Sequence, residues 1–294
     1  MMEGADPFSG PVIVLKDSTC AVSLDLSVFD LPSTDCSVFS ASWVPYYPIY
    51  PINNSHAPIE FSVTAEGSYY IDLHNSYVVA TCRVVKSDGT VIPATELTAV
   101  DHNTFHNLWE DVIVQLNSTV VSETNHLYPF VAYTDRLLKT SVNDKEGILK
   151  SEHWFPPGTQ GTFTLADPGF KQRHTLTGGS KKFVVSGKPV SPLFEEKRYL
   201  IPGSTLRLTL KRNIPERILV TSVDTTDKAY KVEVLKCTFY VCKKIILRET
   251  LESHKRQLAL GKNIVFPCKD LIIRQYTIPS GINSFESDSL IMGN

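Results

Sequence analysis

The stretch Pro58-Ile59-Glu60-Phe61-Ser62-Val63-Thr64-Ala65 alternates apolar and polar residues without a fault. Ile59, Phe61, Val63 and Ala65 fall on one side, and Glu60, Ser62 and Thr64 on the other. That is the period-two signature of a strand with one buried face. Gly67-Ser68 then turns the chain, and Tyr69, Ile71 and Leu73 resume the alternation. A longer strand over Tyr77 to Val85 sets Val78, Ala80, Cys82 and Val84 on one face. Ser87-Asp88-Gly89 closes it, because glycine supplies the positive φ a tight turn needs. The same alternation puts Val112, Val114 and Leu116 inward over 111–116, and Leu206, Leu208 and Leu210 inward over 205–211. Phe183-Val184-Val185 is a short strand. After Val232 and Val234 the apolar phase slips to Leu235, Cys237, Phe239 and Val241, which predicts a bulge. Leu271 to Ile278 reads as a last strand.

Two segments follow a helical period instead. Over 129–139, Phe130, Tyr133, Leu137 and Leu138 share a face, and Pro129 suits a first turn. Over 248–260, Leu247, Leu251 and Leu258 form a stripe, Glu252 and Arg256 are spaced to pair, and Gly261 suits the stop. Many strands, two short helices and long loops around 43–58, 156–179 and 214–228 give an all-β fold, a jelly-roll sandwich.

The chain has 294 residues, of which 42% are hydrophobic and 10% aromatic, with 18 prolines. This suits a β-rich globular protein with many loops. The net charge of -2 and the absence of a basic tail argue against a nucleic-acid-coating protein. No run is apolar for long enough to span a membrane. Pro11 to Leu15 is too short and lacks the basic lead of a secretory signal, so an intracellular, reducing setting is expected. The six cysteines form no CxxC pair, which argues against a zinc ribbon or a redox motif. Cys82, Cys237 and Cys268 lie in apolar runs and are expected to be reduced core residues.

Several constellations invite a chemical reading. His102, His106 and Glu110 recur every four residues and on a helix would share a face as metal ligands. They lack the glutamate of a metalloprotease helix and the His-x-His of a metal-binding cupin, so the expectation is a polar turn leading into the 111–116 strand. Gly178-Gly179-Ser180-Lys181-Lys182 lacks the full phosphate-loop pattern and reads as a flexible hairpin tip. Asp224 and Asp227 read as part of a solvated loop. Lys243, Lys244 and Arg248 make a small basic patch, read as solvated surface. Trp43, Tyr46, Tyr47 and Tyr50, interleaved with prolines, could stack a sugar, though packing is the first expectation. No catalytic, metal-binding or cofactor-binding residue is assigned.

Read in order, a series of segments resembles a known family. Trp43-Val44-Pro45-Tyr46-Tyr47-Pro48, Pro58-Ile59-Glu60-Phe61 and Tyr70-Ile71-Asp72-Leu73 come first. Asn107-Leu108-Trp109-Glu110-Asp111-Val112, Val114-Gln115-Leu116-Asn117 and Leu127-Tyr128-Pro129-Phe130 with Ala132-Tyr133 follow. Leu206-Arg207-Leu208, Tyr230-Lys231-Val232 and Phe239-Tyr240-Val241 continue the series, and Gln275-Tyr276-Thr277-Ile278-Pro279-Ser280-Gly281 with Asp288-Ser289-Leu290 ends it. Together they resemble the double jelly-roll major capsid proteins of Maverick/Polinton elements, virus-like DNA transposons of eukaryotes with relatives among adintoviruses and virophages. The resemblance implies a structural, non-enzymatic shell protein. It implies a homotrimeric, pseudo-hexagonal capsomer with other capsid subunits and a penton protein as partners, and no sequence-specific nucleic acid. The expected place is the virion capsid, after an intracellular stage and without secretion. The expected layout is an N-terminal arm over 1–34, a first roll over 35–246, a linker helix over 247–261 and the start of a second roll over 262–294, truncated at the C-terminus. The competing expectation from the residues is a jelly-roll carbohydrate- or ligand-binding module using the aromatics of 43–50.

Overall fold

The computed structural model describes residues 36–53, 57–158, 163–222, 229–276, 278 and 280–281. Residues Ser37–Asn294 belong to one compact unit, which holds every element below. The N-terminal arm, Asp224 and Asp227 lie outside the described residues.

The strands are β1 (Val38–Tyr46), β2 (Ile59–Thr64), β3 (Tyr69–Lys86), β4 (Thr98–Val100), β5 (Trp109–Leu116), β6 (Thr119–Ser122), β7 (Phe183–Gly187), β8 (Thr205–Arg212), β9 (Leu219–Thr221) and β10 (Tyr230–Ile246). One sheet has the order β1-β10-β3-β7 and the other β2-β8-β5-β6, while β4 and β9 form a separate two-stranded ribbon. Within both four-stranded sheets all neighbours are antiparallel. The chain passes from one sheet to the other at nearly every connection, and the last long strand, β10, lies between the first and the third. That wrapping is a jelly roll.

The alternating residues explain why the two sheets close on each other. Ile59, Phe61, Val63, Val112, Val114, Leu206, Leu208 and Leu210 from one sheet and Val78, Ala80, Cys82, Val84, Cys237, Phe239 and Val241 from the other share one buried core. The Phe61 and Phe239 rings meet edge to face at 5.9 Å, a favoured aromatic geometry. The bulge in β10 falls where the phase slips: Val234 pairs with Cys82 and Lys236 with Thr81. Leu235 is the extra residue, and it is turned out to solvent instead of inward.

Helices fill the connections. They are α1 (Thr104–Asn107), α2 (Tyr128–Lys139), α3 (Val142–Glu146), α4 (Pro168–Thr177), α5 (Pro192–Glu195), α6 (Pro215–Ile218) and α7 (Arg248–Ala259). Two of them, α2 and α7, match the helices read from the sequence; the other five among the described residues do not. The largest addition is α4, inside what reads as a loop over 156–179. Asp167 caps it through Phe170 N at 2.7 Å, and Pro168 begins it. Gly261, at φ 74°, ends the turn after α7. No helix among the described residues is long and apolar enough to cross a membrane.

Three further expectations are corrected. Residues 271–276 form no strand. Leu271 and Ile273 still pack on the core while Ile272 is 70% exposed, so the alternation reports which side faces in, not that a neighbouring strand is present. Cys268 is exposed on the same segment, and the third buried thiol among the described residues is Cys242, opposite Asp72 in the β3–β10 ladder. Gly178–Ser180 is a tight helical turn rather than a hairpin tip. It is tied down where the Ile92 amide donates to Ser180 Oγ at 2.9 Å and Lys181 Nζ donates to Thr175 O at 3.1 Å.

Candidate interaction surfaces

The ionisable residues singled out in the sequence do not come together. Short α1 cannot carry His102, His106 and Glu110 on one face, and each finds its own partner. His102 Nδ1 lies 3.1 Å from Asp101, and its ring meets Tyr133 and Trp154 edge-on. Glu110 lies 3.3 Å from His126 Nδ1. His106 is fully buried. No group of three His, Cys, Asp or Glu that could hold a metal ion occurs among the described residues.

His106 instead belongs to a buried polar lock that joins α1, α2 and the single helical turn Ile148–Glu152. Arg136 of α2 grips Glu152 with two hydrogen bonds, Nε to Oε2 at 3.0 Å and Nη2 to Oε1 at 2.9 Å. Arg136 Nη2 also donates to Lys188 O at 3.3 Å. His106 Nε2 lies 3.2 Å from Glu152 Oε2. Burial pushes the His106 pKa down, so its imidazole is neutral and this contact is a hydrogen bond rather than an ion pair. With the proton on Nε2, Nδ1 accepts from the Tyr128 hydroxyl at 2.9 Å, and that oxygen accepts from the Val190 amide at 3.1 Å. The 3.3 Å approach of Arg136 Nη2 to His106 Nε2 is then a close contact between two donors. Burial alone would raise the Glu152 pKa, but the hydrogen bond from His106 and the charge and hydrogen bonds of Arg136 outweigh it and hold it below the usual carboxylate range.

This arrangement can hold backbone in place but has no room for a substrate. Gly187 of β7 shows how tightly it is closed. A Cβ there would sit 2.5 Å from Phe105 Cδ1 and 2.9 Å from Glu152 Oε1. Gly187→Ala is therefore expected to cost about 1–3 kcal/mol through overpacking. A drop in the thermal midpoint checks it, and an unchanged midpoint would show that the lock yields.

The lock also explains the orientation of α2. Its inward face carries Tyr128, Val131, Ala132, Asp135 and Arg136, with Lys139 paired to Asp135. The apolar stripe Phe130, Tyr133, Leu137 and Leu138 is consequently turned outward, with Phe130 52% and Leu138 77% exposed.

The aromatic run 43–50 divides between strand and loop. Trp43 lies on edge strand β1, half exposed, and donates from Nε1 to Asn75 O at 2.9 Å. Tyr46 packs on the core, with Lys243 over its ring at 5.2 Å. Tyr47 and Tyr50 are exposed, and of the four only Tyr50 lines the neighbouring cleft of about 350 Å³. The basic patch is largely used internally. Lys244 pairs with Asp72 at 2.6 Å and donates to the Tyr199 hydroxyl at 2.8 Å, and Lys243 lies over both Tyr46 and Tyr69.

No family model matches the chain, and no curated protein does. Solved structures do match. PBCV-1 VP54 fitted into a reconstruction of the virophage Sputnik gives a TM-score of 0.48 at 11% identity, covering 76% of this chain and 46% of that one. The Faustovirus major capsid protein gives 0.49 at 9%, covering 79% and 58%. A chain of the Sputnik virophage structure gives 0.50 at 11%, covering 79% and 53%. This chain therefore spans about half the length of the structures it matches. At such identities the likeness to the Sputnik chain carries the fold alone, and that fold is the jelly roll described above.

Proposed function

We propose that this chain is a structural subunit of a viral-type capsid, with no active site. The observation that carries the reading is the pair of four-stranded sheets, β1-β10-β3-β7 on β2-β8-β5-β6, in a fold similar to that of the Sputnik virophage chain. The ordered motifs make the finer reading a Maverick/Polinton-type major capsid protein working in the virion. Residues 35–246 are then the first roll, 247–261 the linker and 262–294 the start of a second. Assembly proceeds by self-association into homotrimers, which tile with other capsid subunits. Symmetry repeats modest contacts until they close a shell.

The test is the mass of the full chain by light scattering, with electron microscopy of the same sample. Trimers and shell-like particles support the reading; a chain that stays monomeric and forms no particles overturns it. Because the stripe on α2 faces outward, Phe130→Asp with Leu138→Asp is expected to shift trimer to monomer, since buried aromatic and aliphatic anchors typically contribute more than about 1 kcal/mol each to an interface. The thermal midpoint should barely move, because neither side chain supports the core. A trimer that survives the double substitution would remove this face from the interface.

A further inference from the structure

A cavity of about 540 Å³ opens between α7 and the segment that follows it. Its floor is a small apolar cluster separate from the main core, formed by Tyr70, Ile246 and Leu251 with Tyr199 and Ile201 packed against them. Leu258, Ile264 and Phe266 add to its apolar wall. This volume falls within the range of small-molecule sites, which are mostly apolar with a few placed polar groups.

The lysine and arginine side chains give the lining charges of one sign. Lys197, Arg198 and Lys262 line the cavity, and none of its lining residues is an aspartate or a glutamate. Arg198 is partly used, since its Nη1 donates to Val265 O at 2.6 Å. Lys197 and Lys262 are exposed and make no ion pair among the described residues. Deeper in, Tyr70 Oη and His254 Nδ1 are 2.9 Å apart, which leaves His254 Nε2 without a hydrogen-bond partner among the described residues. An apolar floor beneath unpaired cations is complementary to a molecule with an apolar body and one anionic end.

We propose that this cavity binds an aliphatic carboxylate, with the hydrocarbon chain on the Tyr70–Ile246 floor and the carboxylate at Lys197 and Lys262. The reading is independent of shell assembly, because the site lies within one chain. The class makes two demands. Affinity must follow chain length, at about fourfold per added methylene buried. It must also follow the sign of the head group.

The test is calorimetric titration of the full chain with octanoate, decanoate and laurate, and with dodecyltrimethylammonium as the cationic counterpart. The expected result is binding that strengthens along the carboxylate series and is at least tenfold weaker for the cation. Lys197→Glu with Lys262→Glu should weaken laurate about tenfold, since each exposed charge contributes up to about fivefold. Leu258→Trp should fill the cavity and abolish binding; if that variant melts early, Ile264→Trp on the following segment replaces it. No heat with laurate, equal binding of the cation, or unchanged binding in the tryptophan variant with a native melt would each overturn the proposal.

Discussion

Arg136→Ala is expected to destabilise the fold by about 3–5 kcal/mol, the range for removing one partner of a buried ion pair. Its partner, Glu152, is only 3% exposed and would keep its charge with no guanidinium against it. The one hydrogen bond from the neutral His106 ring does not compensate a buried carboxylate. The loss reaches beyond one contact, because Arg136 sits on α2, Glu152 on the 148–152 turn and His106 on α1. The three elements are fastened through those side chains. Urea unfolding checks it: the midpoint should fall while the slope stays unchanged. Arg136→Met with Glu152→Gln should cost less than the sum of the single changes, because the double variant leaves no orphaned charge and the amide still accepts from His106. A loss below about 1 kcal/mol for Arg136→Ala would show that the pair behaves as a solvated surface bridge.

This lock also marks where reading the sequence runs out. His106, Arg136 and Glu152 are 30 and 16 residues apart, on segments with no shared period, and only the fold brings them together. The four-residue spacing of His102, His106 and Glu110 suggests a shared face that a four-residue helix cannot provide. By contrast, the strands at 59–64, 205–212 and 109–116 were legible because each has one face against the core and one away from it. The bulge in β10 was legible for the same reason, as an insertion of one residue must flip the apolar phase. Strand β1 went unread, and its last residues fell in the supposed loop over 43–58: Phe39 to Trp43 are exposed on both faces, so nothing selects alternation. Helix α2 shows a subtler failure. Its period and ends were correct, but its apolar stripe faces solvent because the inner face is occupied by charged groups that satisfy one another. For α4 the signal was local and available, in Asp167 followed by Pro168, although no apolar stripe accompanied it.

The second large effect is a loss of stability between neutral pH and about pH 4, carried by two buried histidines. Burial pushes the His153 pKa down to about 4, against a smaller opposing hydrogen bond from its ring to the Val184 backbone. Its ring lies between Phe155 and Phe183, at 6.1 and 5.6 Å. Burial likewise pushes His106 down, with Arg136 adding to the shift while Glu152 and Asp135 oppose it. In the unfolded chain both histidines titrate near about 6.5. Below that pH the unfolded state takes up protons that the folded state refuses, so the stabilisation is complete above about pH 6.5 and declines as pH falls. For His153 the decline continues to about pH 4, and at about 1.36 kcal/mol per pH unit it amounts to roughly 3 kcal/mol. Glu152 adds to the decline only at the acid end of the window, where the unfolded chain begins to protonate it while the folded state keeps it ionised. Urea midpoints measured across the window should fall steadily, and His153→Gln should flatten the slope by about one proton. Equal slopes in the variant and the parent would mean that His153 protonates inside the folded chain, and that its place between the two phenylalanine rings is open to water.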